Sequence, residues 1–559
     1  MKENKINKNV IKLLSIIVVT ILLITMIVVI VKKVSNEKVS DTTNLIINNR
    51  DVTSGLKHKI KIEDGIIYMS MDDLDNYFDK YIYLEKETNE IVTTYQDKIA
   101  SIGFESNKIT INGSVKKINA RAIIENEIYY LPISEMLDVY NIELKNIENT
   151  NTITLDSRDR KQVKATLKSN VSVKSQGKFL SRIVDKAKKD STVIVINNES
   201  SKEKGWSKVR TENGKIGYVK TSKLENITTV REEQIKQKQI TGKVNMFWDY
   251  FSQWVQAPNR AGQKIEGVNV VSPSFFYLDE ETGSLNENVG NSGKTYIDWA
   301  HSNGYKVWPM ISNAEAGIKI TSNILNSYTK RQNLIQSIVE KCALYDIDGI
   351  NVDFENMYEE DKEEFSRFII ELMPRMDEMG IVVSVDVTAP DGAPNWSMCY
   401  DRNVIGDEAD YLVFMAYDQY GTSSTEPGTT AGFNWVETSL KKIIDYDEVD
   451  TEKIILGMPF YTRQWTIESD GTIKSRSVVS MVNTKIPTNV EKQWDDTLKQ
   501  YYIEYKSGKD TIKMWIEDGT SIKEKVSLVT KYNLGGTACW RKDMETSNVW
   551  TIIREELEK

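Results

Sequence analysis

From residue 243 onward the chain alternates short apolar runs with longer amphipathic stretches, and this alternation limits its fold more than any other feature. Stretches with helical spacing, such as 324–345 and 359–379, separate several of the runs. Eight strands that alternate with helices predict an α/β fold, a (β/α)8 or TIM barrel over 243–559. The runs are KVNMFW from 243, GVNVVSPSFF from 267, YKVWPMI from 305, DGINVDFE from 348, IVVSVDVT from 381, DYLVFMA from 410, KIILGMPF from 453 and GGTACW from 535.

The interval between the seventh and eighth runs, residues 461–534, is too long for a simple connection between strands. It contains strand-like pieces of its own, QYYIEY and KMWIE. We therefore expect an α+β insertion between strands 7 and 8 that forms one wall of the active-site cleft. In barrels of this kind the chemistry takes place at the C-terminal ends of the strands, where candidate catalytic residues should lie.

The fourth run ends in two carboxylic acids, Asp353 and Glu355, with Asn351 two residues before them. Alternate residues of a strand share a face, so all three should point into the barrel, with Glu355 nearest its mouth. Two neighbouring buried carboxyl groups cannot both ionise easily, so one keeps its proton. A carboxylic acid that stays protonated near neutral pH is what a glycosidase uses as its acid catalyst. The pattern predicts Glu355 as the acid/base, and an ion-paired structural cluster is the alternative.

Motifs at the ends of four runs follow a fixed order. The fourth run reads DGINVDFE, the sixth ends in MAYD at 415–418, the seventh continues into PFYTR at 459–463, and the eighth ends at Trp540. These resemble the motifs DGxxxDxE, MxYD and PFYGR and the final tryptophan of glycoside hydrolase family 18, the chitinase family. The resemblance implies an enzyme, and it extends over the whole barrel segment.

The family resemblance implies a substrate-assisted, retaining hydrolysis with no metal and no cofactor. Glu355 would protonate the glycosidic oxygen, and the substrate's own 2-acetamido oxygen would attack the anomeric carbon. Asp353 would orient the acetamido nitrogen, and Tyr417 would hydrogen-bond the acetamido oxygen. The residues expected to bind substrate are Asn351, Met415, Asp418, Tyr461, Arg463 and Trp540, the last by stacking beneath the sugar.

One position departs from the family pattern, because Asn351 stands where the usual signature has a third inner Asp. An amide can hydrogen-bond Asp353 but cannot take up a proton. The form DGxNxDFE resembles the spore-cortex and cell-wall branch, which implies an N-acetylglucosaminidase acting on peptidoglycan. Two alternatives stay open: a chitinase or endo-N-acetylglucosaminidase, and a non-catalytic sugar-binding lectin on the same scaffold.

Residues 46–158 contain a weak internal repeat with an offset of 62, each copy reading as a strand, a short amphipathic helix and two strands. The repeat resembles the stalk-like domain named after the N-terminus of copper amine oxidases, without a cluster of copper ligands. Residues 163–226 change to short strands, with a turn at Asn213-Gly214. This segment resembles a bacterial SH3 domain, which implies a small β-barrel that binds a cell-wall peptide or serves as a spacer. Residues 227–242 are expected to be a linker.

The N-terminal segment 13–31 is an uncharged apolar run. Its length matches a hydrocarbon core of roughly 30 Å. We therefore expect one transmembrane helix after a cytoplasmic stub of residues 1–12, then a linker over 32–45. The remainder would lie outside the cytoplasm, as in a single-pass protein of the cell membrane.

The composition limits the partners and cofactors of the chain. The net charge is -9, which disfavours nucleic acid as a partner because phosphate binding needs a basic face. A carbohydrate polymer remains compatible with this charge. Two histidines and three cysteines, far apart in sequence, give no zinc-like spacing and no disulfide framework.

Overall fold

A computed structural model describes residues 17–18, 20–21, 42–197, 205–232 and 240–559. The residues fall into two compact units. The N-terminal unit comprises Met1–Tyr83, Ile102–Ile109 and Val115–Lys236, and the barrel unit comprises Leu84–Ser101, Thr110–Ser114 and Gln237–Lys559.

The described chain up to residue 231 is built mainly of short strands. The strands are β1 (Asn44–Ile47), β2 (Arg50–Asp51), β3 (Lys61–Glu63), β4 (Ile66–Ser70), β5 (Tyr83–Glu85), β6 (Glu90–Tyr95), β7 (Lys98–Gly103), β8 (Lys108–Ile111), β9 (Ser114–Lys117), β10 (Ile123–Glu125), β11 (Ile128–Leu131), β12 (Ile142–Ile147), β13 (Thr152–Ser157), β14 (Gln162–Leu167), β15 (Val171–Lys174), β16 (Ile183–Ala187), β17 (Thr192–Asn197), β18 (Trp206–Arg210), β19 (Ile216–Lys220) and β20 (Leu224–Arg231). Helix α1 spans Met71–Tyr77 and is capped by Ser70, whose hydroxyl accepts a hydrogen bond from the backbone N–H of Asp73.

The repeat expected in residues 46–158 is visible as two similar series of elements. Strand β4 leads into α1, β5 and β6, and β11 leads into a short 3-10 turn, β12 and β13. The apolar side chains that recur at the offset of 62 are largely buried, among them Tyr68 and Tyr130. Strands β4 and β11, the first strands of the two copies, pair antiparallel. The second copy has a short 3-10 turn at the position where the first copy has helix α1.

Strands β14 to β20 form one seven-stranded sheet in the order β16-β15-β19-β18-β17-β14-β20. Strands β18 and β19 form a hairpin in which Arg210 opposes Ile216. The predicted turn at Asn213-Gly214 lies in that hairpin, and Gly214 has a φ of 75°, a conformation that glycine adopts readily. The alternating side chains Val209 and Val219 are buried in the core of this sheet.

The prediction of a transmembrane anchor over residues 13–31 is contradicted by the structure. A spanning helix needs about 20 apolar residues in a row, and no helix in the described ranges is both long and apolar enough. Of the predicted span, only Ile17, Val18, Thr20 and Ile21 are described. The rest of the span, the stub 1–12 and all but the end of the linker 32–45 lie outside the described residues. The expected localisation as a single-pass protein of the cell membrane is therefore not supported.

The second part of the chain contains most of the parallel strands and most of the helices. The strands are β21 (Val244–Asp249), β22 (Val270–Pro273), β23 (Phe276–Leu278), β24 (Leu285–Glu287), β25 (Lys306–Val307), β26 (Met310–Ser312), β27 (Gly349–Asp353), β28 (Val382–Val387), β29 (Tyr411–Met415), β30 (Ile454–Pro459), β31 (Tyr461–Ile467), β32 (Ile473–Ser480), β33 (Gln493–Asp495), β34 (Gln500–Ser507), β35 (Asp510–Ile516) and β36 (Gly536–Trp540). The helices are α2 (Gly290–Ser302), α3 (Gly317–Leu325), α4 (Tyr328–Tyr345), α5 (Lys362–Met379), α6 (Arg402–Glu408), α7 (Phe433–Asp445), α8 (Gly519–Tyr532) and α9 (Val549–Leu557).

Eight parallel strands close into the predicted barrel. Strand β36 pairs with both β30 and β21, which joins the last strand to the first. The third strand is interrupted: β25 pairs with β22 and β26 pairs with β27, with Trp308 and Pro309 between the two halves. Proline lacks the N–H that a continuous ladder requires, which accounts for the break.

Side chains of the barrel strands alternate between the interior and the outer layer. On β29, Tyr411 and Val413 pack inside the barrel, whereas Leu412 and Phe414 pack in the layer under the helices. This period of two is the ordinary consequence of a pleated strand. On β27 the same alternation sends Val352 outward and leaves Asn351 and Asp353 for the interior.

The insertion after the seventh strand is a five-stranded antiparallel sheet in the order β32-β31-β35-β34-β33. Helix α8 follows it and packs against β30 and β36, so α8 is the barrel's own seventh helix. Within the described residues 461–516 there is no α-helix. The insertion is therefore all-β, where the sequence predicted an α+β unit.

Candidate active site

The end of β27 is held in place by hydrogen bonds to its backbone. Asn313 accepts a hydrogen bond from the backbone N–H of Glu355 at 2.8 Å and donates its own amide to the Glu355 carbonyl at 2.9 Å. The Tyr400 hydroxyl donates to the carbonyl of Phe354 at 2.8 Å, and the Phe354 ring stacks on Phe368 of α5. These contacts fix the backbone from which the Glu355 carboxyl enters the cleft.

The carboxyl groups of Asp353 and Glu355 titrate as one pair. Burial raises the pKa of Asp353 to about 7, the charge of Glu315 adds to this, and a hydrogen bond with Glu355 opposes it. Burial, the charge of Asp353 and the same hydrogen bond hold the pKa of Glu355 well above its ordinary value. Two adjacent buried carboxyls share protons rather than ionise together. The pair therefore retains a proton at neutral pH, on the residue expected to be the acid.

Asn351 lies beneath this pair, fully buried in the barrel. Its Oδ1 accepts from the indole N–H of Trp248 at 2.8 Å. Its amide nitrogen donates to Ser384 at 3.1 Å and to Oδ1 of Asp386 at 2.7 Å. Asp386 is a third buried carboxylic acid, contributed by the neighbouring strand β28. Asn351 is thus placed with the supporting residues and does not line the cleft.

The sixth and seventh strands contribute a second polar group beside the carboxyl pair. Asp418 has a φ of 56°, and its Oδ1 accepts hydrogen bonds from the Tyr461 hydroxyl and from Arg463, each at 2.8 Å. Burial raises the pKa of the Tyr417 phenol, followed by the charge of Asp386. Tyr417 therefore keeps its proton and can donate a hydrogen bond. Met415 lies below it and also lines the cleft.

Aromatic side chains form the floor and walls of the cleft. The Trp540 ring contacts Trp248 with ring centroids 5.8 Å apart and Tyr250 at 5.7 Å. Trp396 and Trp435 contribute two further indoles to the lining. A flat aromatic surface bordered by polar groups suits a sugar ring, because its C–H face is apolar and its edge carries hydroxyls.

The cleft has a volume of about 360 Å³. No Lys, Arg or His is found among its lining residues in the part of the chain that the structure describes. Five of the lining residues are carboxylic acids, namely Asp353, Glu355, Asp386, Asp391 and Asp418. Since no cation neutralises the buried acids at the floor, protons have to do so.

The structure brings most of the predicted site residues to one cleft. Those that line it are Asp353, Glu355, Met415, Tyr417, Asp418, Tyr461 and Trp540, while Arg463 reaches it through Asp418. The sequence reasoning missed Asp386, Asn313, Trp396 and Trp435. An Asp inside the apolar run IVVSVDVT was the available signal for Asp386. Within the described ranges, no group of three or more His, Cys, Asp or Glu residues is arranged to hold a metal ion.

Known proteins resemble the barrel part of the chain. The "Uncharacterized glycosylase YvbX" of Bacillus subtilis (strain 168) is 24% identical over 299 residues, which are 52% of this chain and 84% of that protein. The "Cortical fragment-lytic enzyme" of the same organism is 25% identical over 242 residues, 42% of this chain and 55% of that enzyme. This chain thus spans little more than half of that relative. A crystal structure of a chitinase from Chromobacterium violaceum ATCC 12472 is 23% identical, with a TM-score of 0.48, covering 52% of this chain and 92% of the chitinase.

Two family models match the chain. The copper amine oxidase N-terminal domain matches residues 46–155, which confirms the resemblance of the repeat segment. The model described as Glycosyl hydrolases family 18 matches residues 246–545, more than half of the chain. That range contains the carboxyl pair, the cleft and every predicted site residue. The protein is a glycoside hydrolase and belongs to glycosyl hydrolase family 18.

Proposed function

We propose that this chain hydrolyses β-1,4 linkages in polymers of N-acetylglucosamine by a substrate-assisted mechanism that retains the anomeric configuration. The observation that supports this most is the proton held by the pair of Asp353 and Glu355, in a cleft whose lining among the described residues includes no Lys, Arg or His. A proton donor at the mouth of the barrel, beside an aromatic floor, fits acid catalysis on a sugar.

In the first step Glu355 donates its proton to the glycosidic oxygen, and the bond from that oxygen to the anomeric carbon breaks. The carbonyl oxygen of the substrate's 2-acetamido group attacks the same carbon from the opposite face and forms a cyclic oxazolinium ion. Asp353 accepts a hydrogen bond from the acetamido N–H and stabilises the positive charge. The hydroxyl of Tyr417 donates a hydrogen bond to the acetamido oxygen. It can do so because its raised pKa keeps the phenol protonated.

In the second step Glu355, now a carboxylate, takes a proton from water. The water oxygen bonds to the anomeric carbon, and the oxazolinium C–O bond breaks to restore the acetamido group. Glu355 is protonated again and ready for the next turnover. Because the anomeric carbon is attacked twice from opposite faces, its configuration is retained.

Peptidoglycan, including the muropeptides of spore cortex, is the substrate we favour over chitin. The similarity to an enzyme whose name describes lysis of cortical fragments supports this choice. The DGxNxDFE form of the fourth-strand motif points the same way. The acetamido group that the mechanism needs is present in both peptidoglycan and chitin, so the two polymers have to be compared as substrates.

We also propose that the seven-stranded sheet of residues 162–231 is an SH3-like module that binds a cell-wall peptide. A groove of about 270 Å³ in the N-terminal unit is lined by Lys164 and Glu212 of this sheet and by Lys145 and Thr154 of β12 and β13. The Thr154 hydroxyl is buried and has no hydrogen-bond partner in the described chain. Lysines beside an unpaired hydroxyl suit a peptide carboxylate. Titration of the full chain with stem peptides, compared with Lys164→Glu, tests this. Equal binding by both proteins would exclude this groove, and a wild type that binds no stem peptide would leave a spacer.

The hydrolytic proposal is tested with the full chain on purified peptidoglycan and, separately, on chitin oligomers. New reducing ends are identified by mass spectrometry. Glu355→Gln keeps the size of the side chain and removes the proton donor, so activity should fall by at least about a hundred-fold. Glu363→Gln, the same change on the exposed face of α5, is the matched control and should remain active.

The outcomes separate the candidate functions. N-acetylglucosamine reducing ends from peptidoglycan that disappear in Glu355→Gln support the wall enzyme. Cleavage of chitin oligomers alone moves the assignment to a chitinase. Binding of either polymer without cleavage would refute catalysis and leave the lectin.

A further inference from the structure

The orientation of the Asn351 amide inside the barrel is fixed by its partners. An indole N–H can only donate a hydrogen bond, so the atom that Trp248 reaches at 2.8 Å has to be the amide oxygen of Asn351. The amide nitrogen then faces Ser384 and Asp386, at 3.1 Å and 2.7 Å. Both amide hydrogens are used in these two bonds.

Asn351 consequently has no donor left for Asp353. Oδ1 of Asp353 is buried and accepts no hydrogen bond from any described residue. An inner carboxyl beneath Asp353 is thus absent from β27 itself. The nearest candidate for that role is Asp386, which lies on the adjacent parallel strand β28 and lines the same cleft.

Asp386 is fully buried and its carboxyl faces acidic groups. After burial, the charge of Asp353 is the largest influence that raises its pKa, and the charge of Glu355 acts in the same direction. The Asn351 amide donates to Oδ1, and hydrogen bonds from Asn351 and Trp248 oppose the rise in the pKa of Asp386. The titratable groups that face it are Asp353 at the end of β27, Glu355 just after that strand and Tyr417 just after β29.

We infer that Asp386 supplies the third carboxyl group of the active site, as a positioning residue that shares a proton with Asp353. This rests on the proposed hydrolysis. Asn351 anchors Asp386 at one oxygen, and the proton on the other oxygen is offered to the Asp353 carboxylate. Strand β28 thereby provides the third carboxyl group, which β27 lacks because it carries Asn351 at that position.

The proton is passed back and forth and is not consumed. When the oxazolinium ion forms, Asp353 has to be an anion, and its proton resides on Asp386. After water adds and the positive charge disappears, the proton is shared again between the two carboxyls. No bond other than O–H changes at either residue.

Asp386→Asn tests this inference in the full chain. An Asn side chain can still accept the hydrogen bond from Asn351, so the packing contact survives, but it cannot exchange a proton. We expect kcat to fall by at least about ten-fold, with KM changed by less than about three-fold. The charges of Asp353 and Glu355 raise the pKa of Asp386, so the three carboxyl groups titrate as an interacting group. With one acid fewer, the last proton of the group should be lost more easily, and the alkaline limb of the pH profile should move to lower pH. Asp298→Asn on the exposed face of α2 is the matched control and should match the wild type.

A double variant that combines Asn351→Asp with Asp386→Asn exchanges the two side chains, so that the carboxyl group lies on β27 and the amide on β28. We expect it to recover most of the lost kcat and the position of the alkaline limb, whereas a purely structural role of Asp386 would leave the alkaline limb of Asp386→Asn where it is in the wild type. Wild-type kcat and pH profile in Asp386→Asn would overturn the inference. So would a double variant that folds, as judged by its melting curve, and stays as inactive as the single one.

Failure of the proposed function is distinguishable from failure of this inference. If wild type and Glu355→Gln release equal, background amounts of reducing ends, there is no hydrolysis and both proposals fall. If wild type is active, Glu355→Gln is inactive and Asp386→Asn is as fast as wild type, only the assignment of Asp386 falls.

Discussion

The substitution Asp353→Asn should stabilise the folded protein at alkaline pH. Burial raises the pKa of Asp353 to about 7 from an ordinary value of 3.8. At about 1.4 kcal/mol for each pH unit, this difference corresponds to about 4 kcal/mol. Since the folded state holds the proton more tightly than the unfolded state, ionisation of this group opposes folding.

The sign of the pH dependence follows from the same two pKa values. Below pH 3.8 both states are protonated and the carboxyl costs nothing. Between 3.8 and about 7 the unfolded state has lost the proton that the folded state keeps, so stability falls as pH rises. Above about 7 the loss is complete. Asp353→Asn should therefore raise the free energy of unfolding by about 4 kcal/mol at pH 8 and by less than half of that at pH 5.

Urea unfolding followed by tryptophan fluorescence measures this difference. All tryptophans except Trp206 lie in residues 240–559, so the signal reports the barrel unit. Asp298→Asn, an exposed Asp→Asn change, is the control and should show no such pH dependence. Equal stabilisation by Asp353→Asn at pH 5 and pH 8, or a loss of stability at pH 8, would refute the argument that the buried carboxyl opposes folding.

Two further predictions concern Tyr417, the proposed donor to the substrate's acetamido group, and Asn313, which holds the backbone of Glu355. Tyr417→Phe removes the proposed hydrogen-bond donor to the acetamido oxygen, so kcat should fall by about 10²- to 10³-fold with little change in KM. Initial rates on a chitin oligomer measure this, and an unchanged kcat would contradict the proposed role of Tyr417. Asn313→Ala leaves the buried N–H and carbonyl of Glu355 without their partner, so stability should fall by about 1–3 kcal/mol and kcat should fall with it. Urea unfolding and initial rates at 25 °C test this, and a variant as active as wild type would show that the clamp is dispensable.

The sequence was sufficient for the barrel and for the position of the two neighbouring carboxyl groups because both depend on local patterns. A period of two places Asn351, Asp353 and Glu355 on one face, and the structure has the first two inside the barrel. The alternation of runs and helices predicts the eight strands, although Pro309 divides the third of them into two short pieces.

The parts that could not be predicted depend on register and on distant contacts. Asp386 meets Asn351 only because β27 and β28 pair with Asn351 opposite Ser384, and no pattern within one run fixes that register. The same holds for Asn313, which lies 42 residues before the backbone that it holds. Strand pieces within the insertion were visible, but helix α8 could not be assigned to the barrel until its packing on β30 and β36 was known.

The membrane prediction was wrong for a related reason. An apolar run of sufficient length indicates a spanning helix only if it folds as one long helix. The described residues contain no such helix. The prediction for 13–31 rested on composition alone, and most of that run lies outside the described residues.

The anomeric configuration of the first product tests the central claim most directly. Proton NMR of wild-type enzyme with a chitin oligomer or a soluble muropeptide, recorded within minutes of mixing, distinguishes the two anomers before they interconvert. Two successive attacks at the anomeric carbon predict the β-anomer as the initial product. Initial formation of the α-anomer would mean a single direct attack by water, and it would contradict the substrate-assisted mechanism built on Asp353 and Glu355.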